Sequence, residues 1–431
     1  MASSEQSTNE GKENHNDFFK NDTPHGLVKR FIWKQHIQAF IAKTQQTEYE
    51  TLVFDGFSGP GRYGEDDEWP LEIEKYGSPL ISIRAAIDFH ILKKKLKLKF
   101  DPSLPITELE IKPTEEIRNQ FRNCSIKLYL VEKKRKYFKE LVQNASAMFE
   151  KYGIPVATFW SKKDQMTLVS MLDDIPVGCE IFHASFQDVG PPAINKYRCM
   201  VSIIDPYGYT QIPMDRVDLF VGNNREVYII LMSQFVNRFK KESEDGLQNL
   251  FELDHREVLS RLKSYTDDNI QNVADLYADV LKETTDARWT LSFEMRNKGN
   301  VPLFHLIFAS NHEKGLEAMK EAMNNGTQSD SKLSLSDYNI LKKGQKLDLK
   351  NSQNNEIVAS TIFEKFKGKS DVNIKAVRRF ILHNTNHVWR KKCLRILEND
   401  GRITNVISDV SRRKFTYPDH LPCSFDFRCD T

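Results

Sequence analysis

Four short stretches of this chain carry residue types that could do chemistry together. The first is Asp55-Gly56-Phe57-Ser58-Gly59-Pro60-Gly61, directly after the apolar run 51–54 (TLVF). Gly59 and Gly61 remove side chains where backbone must pass close to a bound molecule at a strand-to-helix turn. The second is Glu132, which follows the run 125–131 (SIKLYLV). An acid at the end of a second strand can accept hydrogen bonds from both hydroxyls of a ribose, although Glu132 also reads as the first charge of a helix. The third, Asp188 after EIFHASFQ, either accepts from an adenine amino group or caps the turn before Pro191 and Pro192. The fourth is Asp205-Pro206-Tyr207-Gly208 after MVSII. Here a carboxylate and a proline carbonyl can accept from an amine and aim its lone pair at an electrophilic methyl group, with the tyrosine ring stacking on a planar base. A β-turn with Pro and Gly at favoured positions is the plainer reading of the same residues. The order carries more weight than any member: glycine turn, acid, acid, aspartyl-prolyl corner, each just past a strand end.

The elements that must position these residues follow from hydrophobic periodicity. Residues 26–43 place Leu27, Phe31, Ile32, His36, Ile37, Phe40 and Ile41 near one face, which predicts an amphipathic helix. Strands are expected at 51–54, 125–131, 178–186, 199–204 and 227–232, with helices at 77–97 and 134–151. The lysines ending 77–97 (KKKLKLK) read as a solvated helix end, and 100–122 as an insertion. Helices near 246–285 precede an expected hairpin of 289–296 and 301–310, and a helix from 313 to 323 closes the unit. Strands alternating with helices predict an α/β domain with a largely parallel sheet. Residues 1–22 are expected as a disordered tail, 23–325 as the α/β domain and 326–352 as a linker. Beyond it, helices at 356–366, 372–382 (Asp371 as N-cap) and 386–398 precede strands at 402–407 and 413–417. That is the order of a winged helix, expected over 353–418 with a tail at 419–431.

VFDGFSGPGRYG, GSPLISIRAA, IIDPYGY, ILMSQFVNRF and LFHLIFASNHEKGLEAMKEAM together resemble the three-Cys-motif partner (TcmP) family. The likeness runs from about Gly26 to Met323 and more weakly through the C-terminal helices to TYPD at 416–419. The resemblance implies a Rossmann-like, S-adenosylmethionine-dependent methyltransferase-type sheet with helices on both faces, followed by a winged-helix domain. It implies no substrate. FSGPG also looks like the first motif of amino-methyltransferases acting on DNA or RNA bases, and DPYG like their DPPY-type motif. Here the second proline is absent and Tyr207 sits one place earlier. On this reading Asp55, Phe57, Gly59, Gly61, Glu132 and Asp188 hold the cofactor, while Asp205, Pro206 and Tyr207 meet the acceptor.

Composition narrows the alternatives. The 431 residues hold 62 basic and 60 acidic side chains, a net charge of +2, so any nucleic-acid surface must be local. Mean hydropathy is −0.54, with no apolar run long enough for a membrane span. The six cysteines form no CxxC, which fits reduced thiols in the nucleus or cytoplasm. No metal set is recognisable: His312-Glu313 lacks the second histidine of HExxH, and His383 and His387 have no glutamate between them. Lys391 and Arg395 fall opposite the apolar face of the last helix, and Arg412 and Arg413 lie in the expected wing, a local basic cluster suited to DNA or RNA. Winged helices also bind proteins, so a partner protein stays open. Three readings remain: a methyltransferase acting on a base nitrogen, a non-catalytic scaffold binding nucleic acid or protein, and a dehydrogenase-like nucleotide enzyme. Glu65-Asp66-Asp67 after the glycines disfavours the last, because acids repel a pyrophosphate.

Overall fold

The computed structural model describes residues 24–63, 69, 73, 76–106, 115–240, 242–265, 270–296, 302–329, 355–385, 387–408, 413–417 and 423–428. The expected tail 1–22, most of the expected linker and Arg412 lie outside the described residues.

The fold is mixed α/β around a nine-stranded sheet. Its strands are β1 (Glu50–Asp55), β2 (Ile126–Glu132), β3 (Val156–Lys162), β4 (Gln165–Ser170), β5 (Val177–His183), β6 (Arg198–Ile204), β7 (Arg225–Leu231), β8 (Trp289–Arg296) and β9 (Pro302–Ser310). They run in the order β3-β4-β5-β2-β1-β6-β7-β9-β8. The five central strands are parallel: Val53 lies opposite both Leu128 of β2 and Val201 of β6, Leu128 opposite Cys179 of β5, and Ile203 opposite Tyr228 of β7. The pairings at both ends are antiparallel. Central strands read as continuous apolar runs because helices cover both faces. Val53 points into one core with helices Pro24–Gln46, Ser78–Lys94, Arg135–Glu150 and Glu313–Ser329. Leu52 and Phe54 point into the other, with helices from Met214–Asp218 to Ile270–Thr284. The chain leaves β1 first toward β2 and β5, then returns to its other side for β6 and β7. The carboxyl ends of β1, β2 and β6 therefore flank a topological switch point, where open α/β sheets form a crevice.

Three expectations need correction here. Helix Pro24–Gln46 buries a wider side than the expected face: Val28 and Trp33, outside that face, are as buried as Ile32 and Ile37, Lys29 and Arg30 are buried too, and Leu27 and Phe31 are only half-buried. It is wedged between two neighbouring helices and the sheet, with Lys34, Gln35, Gln38 and Ala39 half-buried and Lys43 exposed on the remaining side. The expected insertion contains helix Glu115–Asn123, and the β3–β4 hairpin extends the sheet beyond the expected strands. In the C-terminal unit, residues 413–417 form no strand; Cys423–Phe427, expected as tail, does. Its alternation buries Cys423, Phe425 and Phe427 in a small separate core, whereas in 413–417 only Tyr417 is buried.

That unit runs helix Asn355–Phe366, strand Val372–Asn373, helix Ile374–Asn384, helix Lys391–Asn399, strand Ile403–Ser408 and strand Cys423–Phe427. The last strand lies between the other two. Because Val372 pairs with Phe425, the helix start moves along and Asn373, not Asp371, caps it, accepting from the Lys375 N–H at 2.8 Å. The unit docks on helix Glu313–Ser329. The buried Lys320 donates from Nζ to the carbonyls of Ile381 (3.0 Å) and Leu382 (2.6 Å), and also to that of Thr385. Arg378 pairs with Glu317 at 2.7 Å, and His383 stacks on Trp289. Among the described residues no helix is long and apolar enough to cross a membrane.

Candidate functional site

The turn after β1 is cinched to both neighbouring strands. The Gly56 N–H donates to the Ile203 carbonyl (2.9 Å) and the Ser58 N–H to the Val131 carbonyl (2.9 Å). The Ser58 hydroxyl donates to the Asp55 carbonyl and accepts from the Val131 N–H. Gly59 and Gly61 adopt φ of 60° and 81°, in the left-handed region that favours glycine. A Cβ on Gly61 would crowd Leu141 (3.1 Å) and Leu80 (3.3 Å), and one on Gly56 would strike the Phe186 ring at 2.6 Å. Phe57 is half-buried, its ring 5.2 Å from that of Phe186.

Three acids gather beside this turn. Asp55 is fully buried; its Oδ1 accepts from the Phe57 N–H at 3.1 Å, and its Oδ2 has no hydrogen-bond partner among the described residues. Burial raises its pKa from 3.8 to about 7, partly offset by Ser78 and the Phe57 N–H and reinforced by the charges of Asp205 and Glu132. Glu132 is 6% exposed and accepts from the Lys134 N–H at 2.6 Å. Burial raises its pKa, while the N–H groups of Lys134 and Gly59 ease the shift. Asp205 receives a 2.6 Å ion pair from Lys29 Nζ, with side-chain exposures of 18% and 9%. That ammonium lies 4.9 Å from the Trp33 ring centroid and 5.8 Å from that of Phe304.

Pro206 is buried and Tyr207 exposed. The Tyr207 N–H donates to Gln211 Oε1 at 3.1 Å, and the Lys134 ammonium sits 5.7 Å from its ring. Burial of its hydroxyl, together with the charges of Glu132, Tyr63, Asp205 and Tyr137, raises the Tyr207 pKa. The tyrosine ring therefore lies at the rim, beside the Lys134 ammonium two residues after Glu132. Asp55, Gly59, Glu132, Asp205 and Tyr207 thus converge. Asp188 does not join them: it is exposed, accepts from the Ser185 hydroxyl, and closes its own turn through the Asp188 N–H to the Ser185 carbonyl at 3.0 Å.

Lys29 was the residue that pattern reading missed. A lysine beside Arg30 on a helix reads as solvated, and its partner lies 176 positions away. The available signal was its place inside LVKRFIW, where apolar residues press on both sides.

The C-terminal candidates lie apart from this rim. Arg395 is exposed and donates from Nε to the Phe415 carbonyl at 2.9 Å, tying its helix to the following loop. Lys391 opens that helix and Arg413 is exposed. The flanking Arg390 is drawn to Glu321.

No family model matches this chain, and no curated protein does. Among solved structures it is similar to a protein from Legionella pneumophila str. Philadelphia 1 described by the DUF519 family model, at 11% identity, a TM-score of 0.30, and coverage of 65% of this chain and 84% of that one. A likeness at that level adds nothing to the geometry of the rim.

Proposed function

We propose that this chain is an S-adenosylmethionine-dependent methyltransferase with a Rossmann-like sheet, acting on a base nitrogen of nucleic acid. The observation that carries the reading is the convergence of Asp55, Glu132 and Asp205 at the carboxyl ends of β1, β2 and β6. The residues fit the group. Asp55 is a buried carboxyl steadied by the Phe57 N–H and the Ser78 hydroxyl, Glu132 stands at the end of β2 where ribose hydroxyls are held, and the glycine turn lets backbone approach. Three carboxylates beside one turn also suit a cationic ligand. The strand order, with antiparallel β9 between β7 and β8, supports the same fold class, as does the similarity to the three-Cys-motif partner family. When bound, S-adenosylmethionine supplies a methyl group already activated on a sulfonium.

The chain's own task is then alignment. Asp205 and the Pro206 carbonyl accept from the acceptor amine, and Tyr207 offers a ring beside them. Lys29 must give up Asp205 as the amine enters. The helix-strand-helix-helix-strand-strand order after residue 355 supports a winged helix, with Lys391, Arg395 and Arg413 available to phosphates.

Calorimetry with S-adenosylhomocysteine tests the proposal. Micromolar-range binding is expected, lost in Gly59→Trp and kept in Asp205→Ala, which loses methyl transfer to nucleic acid. A folded protein that binds no cofactor refutes it. One observation favours a second reading, a non-catalytic scaffold: the Lys29–Asp205 pair already occupies the acceptor carboxylate. On that reading nucleic-acid or partner-protein binding survives Asp205→Ala and is lost on charge reversal at Lys391 and Arg395.

A further inference from the structure

The lysine run after helix Ser78–Lys94 is not merely a helix end. The helix stops at Lys95, which takes φ 54°, with the Leu96 N–H donating to the Ile91 carbonyl at 2.9 Å. Residues 96–100 then belong to no helix or strand. Leu96, Leu98 and Phe100 are half-buried against the core, while Lys95, Lys97 and Lys99 are exposed, as are Lys93 and Lys94. The anchor is firm, since the Arg84 guanidinium lies 4.0 Å over the Phe100 ring, which also meets Tyr152. With Leu96, Leu98 and Phe100 clamped inward, Lys97 and Lys99 stand outward about 6.7 Å apart, two residues of extended chain. Lys95 at the left-handed helix cap and Lys93 on the last helical turn continue the basic surface. Residues 93–101 hold five lysines and one acid, Asp101, in a chain whose net charge is only +2. Of the facing acids, Asp174 pairs with Lys94 at 3.4 Å, Asp101 is engaged by the Ser103 N–H and hydroxyl, Glu50 is paired with Lys127 and Arg198, and Glu48 and Asp173 line the hollow beside Lys93 and Lys94.

The row sits at the amino ends of the strands, remote from the rim. His90 lies beside Ser125, just before β2 begins. The intervening helix of 17 residues spans about 25 Å.

We propose that Lys93, Lys95, Lys97 and Lys99 form a second nucleic-acid contact surface, one that grips the sugar-phosphate backbone of a single strand. The inference is independent of the rim chemistry and separate from the helix Lys391–Asn399. The Lys97–Lys99 interval matches successive phosphates along one strand, and Lys95 and Lys93 extend the positive surface onto the helix end. A lipid surface would call for apolar side chains beneath the lysines, yet the exposed ones nearby, Leu92 and Ile106, stand at the two ends of the stretch.

The test uses the full-length protein and a fluorescein-labelled 30-nucleotide oligothymidylate, with anisotropy read across a salt series. Replacing Lys93, Lys95, Lys97 and Lys99 together by Gln is expected to weaken binding at least tenfold. It should also lower the slope of log affinity against log salt by about 2 to 3, at about 0.7 per lost phosphate contact. A control replaces Lys163, Lys196, Lys263 and Lys369 by Gln, exposed lysines whose removal costs the same net charge; it should leave that slope nearly unchanged. Unaltered circular dichroism shows that both variants fold. The proposal is overturned if the wild-type chain does not bind the oligonucleotide, or if the two variants behave alike. It is equally overturned if the lysines matter only for phosphatidylserine vesicles, or if affinity falls only on charge reversal at Lys391 and Arg395.

Discussion

The Asp55 carboxyl gives the sharpest test of the rim. Its pKa is raised from 3.8 to about 7, chiefly by burial. An acid whose folded pKa is raised contributes stability below its unfolded pKa, and that contribution is lost as pH rises through the folded value. The unfolded chain begins to release the proton near pH 3.8, while the folded chain holds it until about pH 7. At about 1.4 kcal/mol per unit, stability falls by roughly 4 kcal/mol across the whole window and by roughly 2.5 kcal/mol between about pH 5 and 8. Asp55→Asn keeps an oxygen for the Phe57 N–H and cannot ionise, so its curve should lack this fall. Urea unfolding of wild type and variant, run in parallel across that range, isolates Asp55 together with its coupling to Glu132 and Asp205, because groups away from the rim cancel. The variant should gain on the wild type as pH rises. Curves that stay parallel would refute both the burial of the carboxyl and its crowding by Glu132 and Asp205. A cation seated beside Asp55 should moreover release a proton, visible as a binding enthalpy that depends on the buffer.

Two further outcomes follow from other contacts. Asp205→Ala leaves the Lys29 ammonium enclosed by Trp33 and Phe304 without its counter-ion, so a loss of about 2–3 kcal/mol is expected, below the usual range for a fully buried pair. Adding Lys29→Met should recover part of it, and a double-mutant cycle with no measurable coupling would show that the pair does not form in solution. Lys320→Met removes the buried ammonium that closes the carbonyl end of helix Ile374–Asn384. Hydrogen exchange in residues 374–384 should rise at least tenfold while the nine-stranded sheet keeps its protection. Unchanged exchange would mean that the C-terminal unit does not rest on this contact.

Much of the fold was legible because central strands are apolar throughout. Residues 51–54, 199–204 and 289–296 read as strands from composition alone, and the motif residues mark where each chain segment emerges. The hairpin escaped for two reasons: Val156–Lys162 is an edge strand that mixes exposed and buried positions, with Trp160 exposed, while Gln165–Ser170 is buried throughout yet carries the polar Gln165, Thr167 and Ser170. The strand Cys423–Phe427 escaped because five residues beyond a proline and an acid resemble a tail until partners are known.

The chemistry divides in the same way. By itself the sequence determined which groups stand at strand ends and in what order, since turn glycines and strand-end acids are local properties of a short segment. Only the tertiary structure decided what those groups face. Whether Glu132 begins a solvated helix or lies buried beside the glycine turn, and whether Asp205 is open or bound to Lys29, depends on segments up to 176 residues apart. Periodicity records how much water one residue sees; it carries no information about which distant charge has taken that water's place.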